Sequence, residues 1–295
     1  MIGHSLPQRF SLKQKSFRRR NNVCNIESTL AALFLTEMRV TFLGTGASHG
    51  IPIVGCKCSV CQSVNPKDKR LRSSIYIETE SRHLLIDPGP DLRQAALREG
   101  FTQIDAVLIT HEHKDHTAGI DDIRTFNYIM RRAIPFYAQP RVTDTIRREY
   151  AYAFNEPHYP GAPEIILNPI GNETFDVQGV AVTPINVMHG TLPTTGFRIG
   201  NFAYITDAKT IPDTEMAKLQ GLDTLVINAL RVEQHPAHLS LGESLQIIAD
   251  LKPRCAYLTH ISHKIPVYDE LIKMLPDNVR PAYDGLKIRI EGLKD

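Results

Sequence analysis

The run His111-Glu112-His113-Lys114-Asp115-His116 sets three imidazoles and the Asp115 carboxylate on one short stretch, directly after the apolar segment Ala106-Val107-Leu108-Ile109-Thr110. Imidazole and carboxylate ligands spaced this tightly can face a common centre, and they suit zinc, iron or manganese. His111 and His113, alternate residues, can hold one ion while Asp115 and His116 turn toward a second. Two ions need about four to six ligands each, more than one loop supplies. The missing donors are expected at other strand ends. His189 follows Val180 to Val187, Asp207 follows Ala203-Tyr204-Ile205-Thr206, and His260 follows Ala256-Tyr257-Leu258-Thr259. A carboxylate can reach two ions at once, so Asp207 is the candidate bridge.

A second cluster, Cys56-Lys57-Cys58-Ser59-Val60-Cys61, offers three thiolates, one ligand short of a closed tetrahedral zinc site. Cys24 lies in an atypical N-terminal segment and Cys255 inside an apolar run. His263, in Thr259-His260-Ile261-Ser262-His263, is the better fourth ligand, and a Cys₃His zinc site would pin the 56–61 loop to the loop carrying His260.

The elements that must position these groups read as short apolar runs ending in polar residues. Besides those named, His83-Leu84-Leu85-Ile86 ends in Asp87 and Leu222 to Ile227 ends in Asn228. Their length and β-branched content fit buried strands. Helical patterns are expected near 117–131, 141–153, 212–220, 240–251 and 266–275, with Ser240 and Glu243 forming a capping box. Strands alternating with helices indicate an α/β layered domain. Polar strand ends indicate a site along one edge of its sheets. Residues 155–175, rich in Pro and Gly, read as a bridging loop.

The chain has 295 residues, 34 of them basic and 32 acidic. Residues 1–37 hold six of the basic and two of the acidic residues, leaving 28 and 30, or −2, for the remainder. A body of that charge has no global basic field of the kind that dominates nucleic-acid binding, so nucleic acid is unlikely and a small substrate is favoured. No apolar stretch reaches the ~20 residues of a membrane helix. Five cysteines, three of them crowded together, do not make a disulfide framework, and a reducing, cytoplasmic setting is expected. Residues 1–37 are expected to be a disordered extension or the product of a start codon placed too far upstream. Their Arg-rich composition leaves an organellar transit peptide as the alternative. Residues 38–295 are expected to form the functional domain.

Taken in order, Asp87, His111-x-His113-x-Asp115-His116, His189, Asp207 and His260 resemble the metallo-β-lactamase superfamily over roughly residues 38–293. The resemblance implies a four-layer αββα sandwich with a dinuclear metal site at the sheet edge. It assigns His111, His113 and His189 to one ion, Asp115, His116 and His260 to the other, and Asp207 to both. Asp87 would brace the histidine loop. Adding Gly44-Thr45-Gly46-Ala47-Ser48-His49-Gly50-Ile51-Pro52, the three cysteines and Tyr257 to His263, the chain is similar to the PhnP-like branch of cyclic phosphodiesterases. The PQQ-biosynthesis protein B group shares several of these features. The branch implies manganese, zinc or nickel at the catalytic centre, zinc at the cysteines, and a homodimer.

His235-Pro236-Ala237-His238-Leu239-Ser240 is similar to the place where phosphodiesterases of this superfamily carry a non-ligand histidine. The resemblance makes His238 the general acid, with His235 in reserve. The expected reaction is hydrolysis of a small cyclic ribosyl phosphodiester by a hydroxide held between the ions, with Asp115 and His238 in the reacting constellation. Arg124 and Arg231 are weaker candidates for a substrate phosphate. The rival readings are an acyl hydrolase, a tRNA-processing nuclease, and a non-catalytic cofactor-handling protein.

Overall fold

The computed structural model describes residues 37–157 and 159–291. The expectations for residues 1–36, including the transit-peptide reading and Cys24, lie outside the described residues. Six strands form most of a first sheet: β1 (Met38–Gly44), β2 (Ser74–Glu78), β3 (His83–Ile86), β4 (Ala106–Leu108), β5 (Ile134–Ala138) and β6 (Ile165–Pro169). A second sheet takes β7 (Phe175–Val177), β8 (Val180–His189), β9 (Leu192–Ile199), β10 (Phe202–Ile205), β11 (Thr224–Asn228), β12 (Cys255–Thr259) and β13 (Val279–Pro281). The last strand, β14 (Lys287–Ile290), returns to the first sheet and pairs antiparallel with β1.

Both sheets are seven-stranded, ordered β14-β1-β2-β3-β4-β5-β6 and β13-β12-β11-β10-β9-β8-β7. The two halves repeat one plan, in which antiparallel strands lead into parallel ones: β3, β4, β5 and β6 in the first sheet, β10, β11, β12 and β13 in the second. Parallel neighbours need crossovers, and helices supply several of them. They are α1 (Ser59–Gln62), α2 (Leu92–Glu99), α3 (Lys114–Thr117), α4 (Ile123–Met130), α5 (Pro140–Glu149), α6 (Asp213–Lys218), α7 (Leu241–Leu251) and α8 (Tyr268–Leu271).

Strand periodicity of two sorts the side chains into layers. On β3, Leu84 and Ile86 enter the core between the sheets, whereas Leu85 faces the outer helices. On β10, Phe202 and Tyr204 point inward while Ala203 and Ile205 pack with α7 residues Leu241 and Ile248. Leu92 of α2, Ile123 and Phe126 of α4, and Val142 and Ile146 of α5 cover the first sheet. The result is helix, sheet, sheet, helix: the αββα sandwich. Each fully buried Leu or Phe contributes about 1.5–3 kcal/mol, so neither sheet is stable with one face bare.

The bridging loop expected at 155–175 contains a strand, β6, at the sheet edge. Its terminal Pro169 is tolerated because an edge strand has one side without ladder bonds. The helix expected at 117–131 is three shorter pieces, α3, a 3₁₀ turn at Ile120–Asp122, and α4. The capping box at Ser240 and Glu243 is present and opens α7. No helix among the described residues is long and apolar enough to cross a membrane.

Candidate metal centre

Polar groups leave six strand ends at one edge of the two sheets. Asp87 follows β3, the histidine loop follows β4, His189 ends β8, Asp207 follows β10, Asn228 ends β11 and His260 follows β12. Three of them, Asp87 (φ 61°), Asp207 (φ 56°) and His260 (φ 52°), have left-handed backbones. Non-glycine residues pay for that conformation with strain on the order of 1–3 kcal/mol each. Glycine would relieve the strain but has no side chain to present. Gly89 meets a different demand, since a Cβ there would lie 2.4 Å from the Asp115 carbonyl oxygen, so the Asp87 turn can press directly on the histidine loop.

The ligating atoms of His111, His113 and His189 lie within 4.8 Å of one another, and the same holds for Asp115, His116 and His260. Asp207 joins them through a third group with His111 and His116. His116 Nε2 is 3.2 Å from Asp207 Oδ2 and 3.3 Å from Asp115 Oδ2. His113 is exposed and Asp115 and His189 are half-buried, whereas His111, His116, Asp207 and His260 are buried. The cluster therefore opens on the His113 side.

Hydrogen bonds at Nδ1 set the tautomers of four rings. Thr110 Oγ1 donates to Asp87 Oδ2 at 2.8 Å, so it accepts from His111 Nδ1 at 2.9 Å. His116 Nδ1 donates to Asp87 Oδ2 at 2.7 Å, and His189 Nδ1 to the Ala237 carbonyl at 2.6 Å. Ser73 Oγ donates to the Gly46 carbonyl and so accepts from His260 Nδ1 at 3.2 Å. A neutral ring protonated at Nδ1 keeps a bare lone pair at Nε2. His111 Nε2 is buried and has no hydrogen-bond partner among the described residues, whereas His116 Nε2 faces the Asp207 and Asp115 carboxylates, where a cation can take the place of its proton. Such an orphaned nitrogen costs about 1–3 kcal/mol unless something accepts its lone pair. A divalent cation does so, and the donor set of imidazole and carboxylate fits one.

The charges agree with that use. Burial pushes His111 well below its ordinary value and keeps it neutral. Burial also opposes charge on His116, but Asp207, Asp87 and Asp115 around it override burial and hold it well above the usual imidazole range. Burial raises Asp87 despite the bonds from His116 and Thr110. Asp207 resists its own burial because His260 and His116 hold it well below the usual carboxylate range. The carboxylates are thus kept ionised among neutral and charged imidazoles, the mixed donor set that a divalent cation takes.

The second cluster is equally compact. Cys56, Cys58 and Cys61 place their sulfurs 3.2, 3.5 and 3.7 Å from His263 Nδ1. The backbone N–H of Cys61 donates to Cys58 Sγ and draws that thiol down to about 6, whereas burial pushes Cys61 up to about 11. These four ligand atoms also lie within 4.8 Å of one another, the arrangement a tetrahedral zinc ion takes.

His238 stands beside the open cluster. Its ring centroid is 4.3 Å from that of His189 and 5.0 Å from that of His260, and its Nδ1 is 3.6 Å from Asp207 Oδ1. Burial, reinforced by His260, pushes it down to about 3. His235 lies behind it at 5.1 Å between ring centroids. Arg231 donates to the carbonyls of Glu233 and Gln234, so it ties down the turn that carries His235. Arg124 is exposed on α4, beside a groove lined by Tyr128, Arg131, Gly161 and Glu164, none of which is a candidate ligand. The structure does not bring it together with the histidines. It does bring in Thr110, Ser73 and the Ala237 carbonyl. Thr110 ends the apolar run before His111, a position that could have drawn attention, but the other two carry no sequence signal.

The Beta-lactamase superfamily domain profile matches residues 82–261, more than half of the chain, and the chain belongs to that superfamily, in its PhnP-like branch. The crystal structure of a new diphosphatase from the PhnP family superposes with a TM-score of 0.82 at 37% identity, covering 88% of this chain and 100% of that one. Over 257 residues, 86% of this chain, the sequence is 40% identical to an octanoyltransferase of Porphyromonas gingivalis, and it spans only 52% of that protein's length. Coenzyme PQQ synthesis protein B of Methylorubrum extorquens (strain PA1) is 28% identical over 79% of this chain and 92% of its own length. The fold and the branch are those of metallo-β-lactamase-type hydrolases.

Proposed function

We propose that the chain is a metal-dependent phosphodiesterase for a small cyclic ribosyl phosphodiester, with His238 as proton donor to the leaving oxygen. The placement of His238 carries this reading: a half-buried imidazole against both candidate ion sites, bound to neither Asp115 nor His116. Its buried Nδ1 faces Asp207 Oδ1 at 3.6 Å and makes no hydrogen bond to a described residue, which leaves Nε2 as the atom that can serve a substrate. Ions of manganese, zinc or nickel would sit on His111, His113 and His189 and on Asp115, His116 and His260, with Asp207 shared; when bound they polarise the phosphoryl group and acidify water.

His238 is neutral at rest. A phosphoryl oxyanion arriving beside it acts as Asp207 does and raises its proton affinity, so the ring can take up a proton and pass it to a departing alkoxide. His189 is steadied by the same turn, through Ala237, so ligand and acid keep a fixed separation. The slightly acidic body suits a small substrate better than an RNA chain. A PhnP-family diphosphatase at 37% identity supports chemistry at phosphorus.

The test begins with bis(p-nitrophenyl) phosphate and manganese-loaded protein, against an EDTA-treated control. His238→Ala should then slow hydrolysis of alkyl diesters by about 10²–10⁴ and spare p-nitrophenyl esters, whose leaving group needs no proton. Equal loss on both substrates would remove His238 from the acid role. The 40% identity to an octanoyltransferase favours one second reading, hydrolysis of a medium-chain acyl ester or thioester. Turnover of p-nitrophenyl octanoate by a metal-loaded protein inert toward the diester would select it.

A further inference from the structure

Helix α5 lies along the histidine loop and touches it at three points. Arg141 in its first turn pairs through Nη1 with Glu112 Oε1, and Glu149 at its end pairs with Lys114. Just beyond, the Tyr150 hydroxyl donates to the Thr117 carbonyl at 2.8 Å. The first contact holds something more. Arg141 Nη2 donates to the Pro193 carbonyl at 2.6 Å, and Pro193 is the register partner of Met188, next to His189. One guanidinium therefore joins the residue between His111 and His113 to the strand facing His189.

His113 is the ring that needs this help. Thr110 orients His111 and the Ala237 carbonyl orients His189, but the His113 ring makes no hydrogen bond to a described residue. It is exposed and rests edge-on against His111 at 4.6 Å and His189 at 5.3 Å between centroids. Its orientation depends on the loop backbone, which Glu112 anchors. We infer that Arg141 is a positioning residue for the group His111, His113 and His189, acting through Glu112 and the Pro193 carbonyl. The inference rests on reading that group as a metal site. The group Asp115, His116 and His260 has other braces, Asp87 and Ser73, so the effect is confined to one ion.

A planar fork is required. Lysine can satisfy one of the two acceptors at a time, and so Arg141→Lys should restore little. The experiment strips the full chain with EDTA and titrates it with Co²⁺, followed by calorimetry, visible absorption and paramagnetically shifted imidazole N–H signals. The cysteine cluster serves as an internal reference through its thiolate-to-cobalt charge-transfer band. Arg141→Ala should weaken the ion on His111, His113 and His189 by about 10–100-fold. The ion on Asp115, His116 and His260 and the cysteine-bound ion should titrate as in the wild type. Glu149→Gln, at the other end of the helix, should change none of them. Should Arg141→Ala fail to fold, Glu112→Gln must show the same single-site loss. Unchanged affinity at all sites, or equal weakening at all of them, overturns the inference. Wild-type protein that takes up no cobalt at its histidines overturns the metal reading itself, a distinguishable result.

Discussion

Replacing Asp87 with Asn exchanges one carboxylate oxygen for an amide nitrogen and leaves the backbone at ease, because φ 61° is a region where Asn is enriched. The carboxylate accepts three bonds: from Thr110 N at 2.8 Å on Oδ1, and from Thr110 Oγ1 at 2.8 Å and His116 Nδ1 at 2.7 Å on Oδ2. An amide has one acceptor atom. With its oxygen kept on Thr110 N, its NH₂ group faces His116 Nδ1, donor against donor. His116 can escape only by moving its proton to Nε2, the nitrogen that faces Asp115 and Asp207 and must be bare to hold an ion. A lost or misplaced donor in a buried site costs about 1–3 kcal/mol, which converts to about 5–150-fold in affinity for the ion on Asp115, His116 and His260. Zinc affinity measured by competition with a chromophoric chelator reads this directly. Asp87→Ala adds left-handed strain of about 1–2 kcal/mol and should also unfold at a lower temperature than Asp87→Asn. An Asp87→Asn protein that binds zinc within two- to threefold of the wild type would refute the bracing role.

Asp284, buried against Thr45, Leu71 and Arg98, supplies a pH signature away from the metal centre. Burial pushes it up to about 6 from 3.8 despite the bonds it accepts from Leu71 N and Thr45. The native state thus holds its proton more tightly than the unfolded chain, and stability falls as pH rises from about 4 to 6, by about 3 kcal/mol. Asp284→Asn lacks that slope, so its stability relative to wild type in urea should improve by about that amount between pH 4 and 7; parallel pH profiles would contradict the shift. Chelation supplies the other test. An ion at a hundredfold over its dissociation constant adds about 2.7 kcal/mol, so EDTA should lower the unfolding temperature markedly, and a temperature indifferent to EDTA would count against ions at either cluster.

The strands that carry the site were legible because each is a short apolar run stopped by a polar residue, as in His83-Leu84-Leu85-Ile86-Asp87. β5 and β6 are harder to read, since Pro135 and Pro169 interrupt them and proline normally argues against a strand. The candidate ligands stood out by residue type and place. Their braces did not, because a brace is defined by a tertiary neighbour. Ser73 and His260 are 187 residues apart, and the Ala237 group that orients His189 is a carbonyl that any residue would supply. Arg141 reads from sequence as one more charge on an amphipathic helix; only the fold shows that its two nitrogens reach Glu112 and Pro193.

The left-handed residues show why local rules break at this edge. A strand that simply continued past Ile86, Thr206 or Thr259 would send the next side chain up or down from the sheet, into the helix layer or the core. A turn through positive φ instead aims Asp87, Asp207 and His260 along the edge, where Asp87 meets the loop after its neighbouring strand and Asp207 meets His116 from the opposite sheet. Asp and His enter that conformation more readily than most residues but still at a cost, so the strain is offset by what the three side chains do together. Asp87 meets His116, and Asp207 meets both His116 and His260. Without an ion these contacts leave the buried Nε2 of His111 bare and crowd three carboxylates around the His116 ring. The same geometry that is costly for the apo chain is the one a pair of divalent cations satisfies, and binding and local folding of this edge are therefore expected to be a single coupled process.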